Sequence, residues 1–356
     1  MKNIEKFSDN IFIKHLFYWL FTIAFITILS NFSLWIEKIY SQILYPLIAV
    51  INRWLAGFFP FSIGDLLYFW GVMYFFYLIL ILLIQIKKPQ HQLKSISVFL
   101  LKTVWIFYLS WGFNYFRKPL NETLPFSNDK YNMEELLQVT DSIIKRSNKL
   151  QMQLSRNDSL PVSVPYGIEH ILATTPQGYK EIENFTETAY KVPCIKTSLF
   201  SKQISYMGIT GYLNPFTGEA QINKLYPKVY LPFVASHEVA HQLGFASENE
   251  ANFLGYLSSI HHPDPYFNYS GNISALFYLL NEIRKADSET FKRYFKKLNK
   301  GIVKNFKEAY RFNKKYQFPI DFSKGYDMYL KLNKQKSGIQ SYNEMVKLVI
   351  AYELKK

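Results

Sequence analysis

Hydrophobic patterning divides the chain before any single residue is considered. Leu16–Ile36 and Leu66–Ile86 are each 21 residues without a charge, and Ser95–Phe116 is interrupted only by Lys102. About 20 consecutive apolar residues cover the hydrocarbon core of a bilayer, so three membrane spans are expected at about 16–36, 66–86 and 95–116. The first run is too long for a signal-peptide core and has no small-residue cleavage site, so it is expected to remain as an anchor. Ile39–Asp65 is apolar but broken by Pro46, Arg53, Gly57 and Pro60, a pattern that fits an interfacial or re-entrant segment about 39–63 better than a clean span. The expected organisation is a membrane domain, 1–118, followed by a globular domain, 119–356.

The second half changes period. Tyr131–Leu154 has helical spacing at Leu136, Leu137, Ile143 and Ile144, and Gly178–Tyr190 reads as another helix. "ISYMGITGYLNPFTGEAQIN" mixes β-branched and aromatic residues around a Pro-Phe-Thr-Gly turn, the signature of a hairpin or edge strand. Pro232 then precedes an apolar helical run that stops at Gly244, and Ser247 is placed to cap a second helix beginning near Glu248. From Asn272 onward the pattern is helical, with breaks at Gly301, Pro319 and Gly338. The fold class is therefore mainly α with a small β-sheet (α+β), behind N-terminal transmembrane helices.

Composition adds three constraints. Phe (31) and Tyr (27) are abundant, as in a bilayer-embedded protein or one with a large aromatic core. The single cysteine, Cys194, excludes an internal disulfide framework and a Cys-rich zinc finger. The formal net charge of +14 is unevenly spread: Arg284–Lys315 carries twelve basic residues against three acidic ones. Within it, Phe291–Phe295–Leu298 and Val303–Phe306–Tyr310 recur at the spacing of helix faces turned to a core, with lysines on the solvent side. That spacing argues against nucleic acid as a partner and for anionic lipid head groups or envelope polyanions. Lys87, Lys88 and Lys94, with Lys102 snorkelling to the same side, outweigh Arg117 and Lys118. The positive-inside rule then places the short loop in the cytoplasm and everything after Phe116 outside it, a multi-pass cell-membrane protein with an extracytoplasmic domain.

The chemistry concentrates in "HEVAHQLGFASENEANF", His237–Phe253. Four residues make slightly more than one helical turn, so His237 and His241 project from one face and can bind one zinc ion. Glu238 lies beside the remaining coordination position, where it can take a proton from a zinc-activated water and pass it to a leaving amine. Gly244 stands where a metzincin has its glycine, but position 247 is Ser rather than His, so the third ligand comes from elsewhere. The candidates are Glu250 and Glu248, then His261 and His262; carboxylate oxygen suits zinc, and two histidines with one glutamate make a catalytic set. Tyr269 and Tyr342 are candidates for stabilising an oxyanion.

The string "NEA" around Glu250 resembles the third-ligand segment of gluzincin peptidases such as thermolysin, which favours Glu250. Two departures are the spacing of eight residues between His241 and Glu250, and Leu254 where that family has an acidic residue. "WGFNYFR", "GITGYLNPFTGE", "HEVAHQLGFASENEANFLGYL" and "YLKLNKQKSGIQSYNEMVKLVIAY" are similar to a family of HExxH-bearing bacterial multi-pass membrane proteins of unknown function. The resemblance implies a zincin-like fold and supplies no substrate. The expected function is a membrane-anchored zinc metallopeptidase acting on extracytoplasmic peptides or proteins. In it His237, His241 and Glu250 are the Zn2+ ligands, Glu238 is the general base, and the Gly208–Ile222 segment pairs with the substrate. The alternative is a non-catalytic zinc-binding scaffold or sensor of the cell envelope. An intramembrane protease is disfavoured because the motif lies far beyond the last span and no distant Asp-Gly ligand motif is found.

Overall fold

The computed structural model describes residues 11–85, 89–122, 124, 130–186, 189–319, 323–333 and 342–355. The chain is mostly helical with one small sheet. Four N-terminal helices come first: α1 (Ile11–Leu29), α2 (Ser33–Gly57), α3 (Ile63–Ile84) and α4 (Gln90–Ser110). Three of these, α2, α3 and α4, are long and apolar enough to cross a membrane. Between Ile36 and Leu44, α2 widens to a π-helix.

Side-chain contacts fix the relative directions of these helices. The Ser97 hydroxyl meets His15 and Trp19, and the Trp105 indole donates to Thr22 at 3.1 Å, so α1 and α4 run parallel. A short connection folds α4 back on α3, and Phe99 stacks on Phe75 and meets Tyr74 edge to face. The C-termini of α1 and α4 and the N-terminus of α3 therefore lie at one end of the bundle. The remaining domain is built on that end.

The third expected span ends early. α4 stops at Ser110, and Trp111–Phe116, read from sequence as membrane-embedded, form a buried 3-10 turn (Gly112–Phe116) packed with Ile36, Tyr40, Tyr45 and Ala49 of α2. Aromatic residues satisfy lipid and protein surroundings alike, so the pattern could not mark the boundary. Lys102 accordingly lies nearer the domain end of α4 than the loop end, contrary to the expectation that it snorkels toward the loop. Lys87 and Lys88 lie outside the described residues.

The remaining domain has a helical core around α5 (Met133–Ser155), whose Asn132 and Glu135 form a capping box. A three-stranded sheet follows, with β1 (Ile195–Thr197) parallel to β3 (Ala220–Ile222) and β2 (Gly211–Leu213) antiparallel to it, in the order β1-β3-β2. The expected hairpin is thus present. It leads into α6 (Leu231–Gln242) and α7 (Glu248–His261), which pack on α8 (Pro265–Ala286). In place of one helix over Gly178–Tyr190 there are two short ones, Pro176–Glu181 and Glu183–Thr186.

Toward the C-terminus come α9 (Ser288–Phe295), α10 (Lys300–Lys315), α11 (Ser323–Leu332) and α12 (Tyr342–Lys355). Gly301 sits within the first turn of α10 rather than at a break. Along α9 and α10, Phe291, Phe295, Leu298, Val303 and Phe306 turn to the core as their spacing predicts, but Tyr310 is exposed.

Polar side chains join the bundle end to the domain. Glu219 of the β2–β3 turn is fully buried and accepts from the first amides of α3, Ile63 and Gly64, and from Lys196 at 2.7 Å. A carboxylate at a helix N-terminus meets both the free N–H groups and the positive end of the dipole. Asp65 accepts from the Tyr212 hydroxyl, the Ser198 hydroxyl and the Leu199 amide. Arg117 pairs with Glu37 at 2.7 Å and donates to Gly244 O.

The deepest such joint is Arg53. It is 3% exposed, and its guanidinium donates to Val192 O, Gln242 O and Lys191 O at 2.9–3.0 Å. Arg53→Met keeps length and apolar volume but takes the donor from Val192 O and Lys191 O and leaves Gln242 O with Tyr45 alone. It is expected to destabilise the protein by about 3 kcal/mol or more, seen as a lower midpoint in thermal unfolding of the detergent-solubilised protein. An unchanged midpoint would show the arginine to be dispensable.

Candidate metal centre

Every residue of α6 except His237 is buried, the mark of a helix enclosed on all sides. Pro232 occupies its first turn, where a missing N–H costs nothing. Its end is a Schellman turn: Gly244, at φ +87°, donates to His241 O, and Phe245 donates to Ala240 O. The same turn aims the Phe245 carbonyl at His241 Nδ1, 2.7 Å away. With its proton committed there, His241 presents the Nε2 lone pair to the site.

The two Nε2 atoms of His237 and His241 lie 3.1 Å apart. Glu248 completes a triangle, with Oε2 3.4 Å from His237 Nε2 and Oε1 3.6 Å from His241 Nε2. Ligands about 2.0–2.1 Å from one tetrahedral zinc are separated by roughly 3.3 Å. The three side chains therefore already hold the spacing that such an ion requires.

Glu238 also belongs to the site: the ligating atoms of His237, Glu238 and His241 all lie within 4.8 Å of one another. Its position around α6 differs by about 100° from that of His237. It lies against β2, where a Cβ on Gly211 would come within 2.7 Å of Glu238 Oε1, so the close approach requires glycine. Glu238 Oε2 is buried without a hydrogen-bond partner, as is His237 Nδ1. Of the two carboxylates, Glu248 is the better ligand because it faces both imidazoles, whereas Glu238 stands to one side with a free oxygen.

Electrostatics follow from this burial. Burial pushes the Glu238 carboxyl up to about 7 against the lowering effect of the two histidines. For His241, burial acts downward, but Glu248 prevails and raises it to about 9. For Glu248, burial acts upward, and the histidines hold it well below the usual carboxylate range. A bound divalent cation would replace the imidazolium charge in this balance.

The structure does not bring Glu250 to the histidines. Helix α7 begins at Glu248, and two residues further on a side chain has turned about 200° around the axis, so the two glutamates leave on opposite faces. Glu250 instead accepts from the Leu120 amide at 2.6 Å, near Arg117 and Glu37, and burial raises its carboxyl to about 7. His261 bonds to the Tyr352 hydroxyl and His262 to Thr174 O, both away from the site. Tyr269 is fully buried and bonds to Asn305 Oδ1; the side chain of Tyr342 lies outside the described residues.

Sequence reading missed the groups that hold the site from below. The Trp111 indole donates to His241 O at 3.0 Å, Tyr45 donates to Gln242 O at 2.9 Å, and Arg53 reaches the same Gln242 carbonyl. Each caps the C-terminal carbonyls of α6. Gln242 ties the helix to the sheet through Cys194 O and Gly218 O. Tyr329 of α11, its hydroxyl pushed up to about 12 by burial, packs on Tyr115 and feels the charge of Glu248. Nothing in a chain of 27 tyrosines would have singled it out.

The model of one family, described as Protein of unknown function (DUF3810), matches residues 40–350. No curated protein and no solved structure matches the chain.

Glu250 is placed as a structural acceptor. Glu250→Ala removes the acceptor of the Leu120 amide and is expected to cost about 1–3 kcal/mol. Glu250→Gln keeps a carbonyl oxygen there and is expected to cost less than about 1 kcal/mol. Unfolding of the two variants side by side measures the difference.

Proposed function

This chain belongs to the DUF3810 family, and from the site itself we propose that it is a membrane-anchored zinc metallopeptidase. The observation that carries the reading is the triangle of His237, His241 and Glu248, with Glu238 beside it. His237, His241 and Glu248 are the zinc ligands, Glu248 taking the place expected for Glu250. Zinc supplies a Lewis-acidic centre that makes water nucleophilic and polarises a carbonyl.

Glu238 needs no part in holding the ion. Its partnerless oxygen is available to accept the proton of the attacking water and to deliver it to the departing amine. The sheet supplies the substrate's track. Asn223 donates to Thr210 O and Asn214 to Glu219 O, so the ladder uses alternate residues of β2. Gly211 and Leu213 then direct their backbone groups to the outer edge, where an extended peptide would pair beside Glu238. This arrangement supports a zincin-like domain of gluzincin type.

We also propose that the domain is extracytoplasmic. In the sequence, Lys2, Lys6 and Lys14 belong to the segment that leads into and begins α1, and Lys87, Lys88 and Lys94 to the α3–α4 connection and the start of α4, six cations against Lys38, Arg53, Lys102, Arg117 and Lys118 toward the domain.

Three variants test the assignment. Zinc content of the purified protein is expected near one per chain, kept by Glu250→Ala and lost in Glu248→Ala. The reverse pattern would exchange the two roles. Glu238→Gln is expected to keep the metal and fold while lowering peptide turnover about 10²–10⁴-fold. A Glu238→Gln protein that supports growth of a deletion strain as well as the parent, with neither cleaving any peptide of a diverse library, would leave a structural zinc clamp.

A further inference from the structure

Helix α2 is apolar enough to cross a membrane, yet a third of its most apolar window is buried inside the protein, against 6% for α3 and 0% for α4. Its two faces differ. Ile36, Glu37, Tyr40, Ser41, Tyr45, Ala49, Arg53 and Ala56 are buried. On the opposite face Leu34, Ile39, Ile43, Leu47, Ile51 and Trp54 are exposed, and Trp35 and Phe58 flank them at the two ends. Glu37, Ser41 and Arg53 point into the protein, while the exposed face is apolar apart from Lys38 and Gln42 near its start, unlike a surface helix in water.

The ends of α2 decide its placement. It begins just past the C-terminus of α1 and ends just before the N-terminus of α3. Those two termini lie at one end of the bundle, because α1 runs parallel to α4 and α3 antiparallel to it. Side-chain bonds repeat the statement. Near its start, Glu37 is paired with Arg117 and Ser41 bonds to Asn114. Near its end, Arg53 holds Lys191 and Val192, and Lys196 donates to Ala56 O and Phe61 O. A helix of 25 residues is about 37 Å long, enough to carry one end to the far side of a bilayer. Both of its ends nevertheless remain on the domain side.

We propose that α2 lies in the plane of the membrane surface, its outer face sunk in lipid at the boundary of head groups and acyl chains, with α1, α3 and α4 crossing. The occupant of the exposed stripe is the bilayer, since the helix runs on from α1, an apolar helix of 19 residues, and into α3, which is long and apolar enough to span. The metal centre is thereby seated on the membrane. Tyr45 and Arg53 of α2 bond directly to the last carbonyls of the helix that carries His237 and His241, and the Trp111 ring lies 6.2 Å from that of His241. Leu213, on the open edge of β2, packs against the cluster formed by α2 and Trp111–Phe116. Resting on the peptidase reading above, the substrate class is a membrane-anchored polypeptide, cut in the segment next to its anchor.

The test uses the full chain in proteoliposomes of neutral and anionic phospholipid. Nitroxide labels are placed singly at Ile39→Cys, Ile43→Cys, Leu47→Cys and Ile51→Cys in a Cys194→Ser background, and depth is read from collisional relaxation by oxygen and a water-soluble nickel chelate. An in-plane helix gives four similar, shallow depths. A spanning helix gives a ramp of about 18 Å over the twelve residues, and that ramp would overturn the proposal. The second arm compares one peptide sequence, free in solution or joined to a lipid anchor, at equal concentration. Turnover at least tenfold faster for the anchored form is expected; equal rates would remove the substrate class. Cleavage of neither, with shallow uniform depths, would fail the peptidase reading and leave the placement of α2 standing.

Discussion

The last carbonyls of the HExxH helix are the point on which the molecule turns. A helix end enclosed in protein must find donors for C=O groups that have no intrahelical partner. Here the donors are Trp111, Tyr45 and Arg53, drawn from the segment just after α4 and from α2. A cation held by His237 and His241 would lie toward the negative end of the helix dipole, which would favour it further. The groups that finish α6 are therefore the same ones that join the domain to the membrane bundle. The site and its anchorage share one set of bonds.

A second joint acts at the opposite edge of the site. Asp65 and Ser62, at the N-terminus of α3, bond to Tyr212 and Gln221 of β2 and β3, and Glu219 returns from the sheet to the first amides of α3. Strand β2 is thus held between α3 and Glu238, with Gly211 at the contact. An edge strand of three residues has little stability of its own. Its position is imposed from both sides, and so is the position of the general-base candidate beside it.

Much of this was legible in the sequence, and the failures have physical causes. The HExxH spacing, the stop at Gly244, the helix starting at Glu248 and the hairpin all follow from local rules that the structure obeys. The choice between Glu248 and Glu250 turned on helical phase relative to another helix, and phase is set by tertiary packing. Resemblance of "NEA" to a known ligand segment carried no information about that phase. Trp111–Phe116 read as membrane because burial in protein and burial in lipid select the same aromatic residues. Arg53 read as an interruption because its partners are backbone carbonyls, which leave no trace in side-chain identity.

The Arg53 joint also has a history. Its acceptors lie 138 to 189 residues further along the chain. A ribosome adding roughly 5–20 residues per second needs on the order of 7–40 seconds to supply them. During that interval α2 can rest on the membrane, but its guanidinium has only water and lipid phosphate for company. Tyr40 and Ser41 find Tyr108 O and Asn114 earlier, and the Arg53 joint is complete only when Gln242 arrives. The HExxH helix thus supplies the last acceptor of the joint.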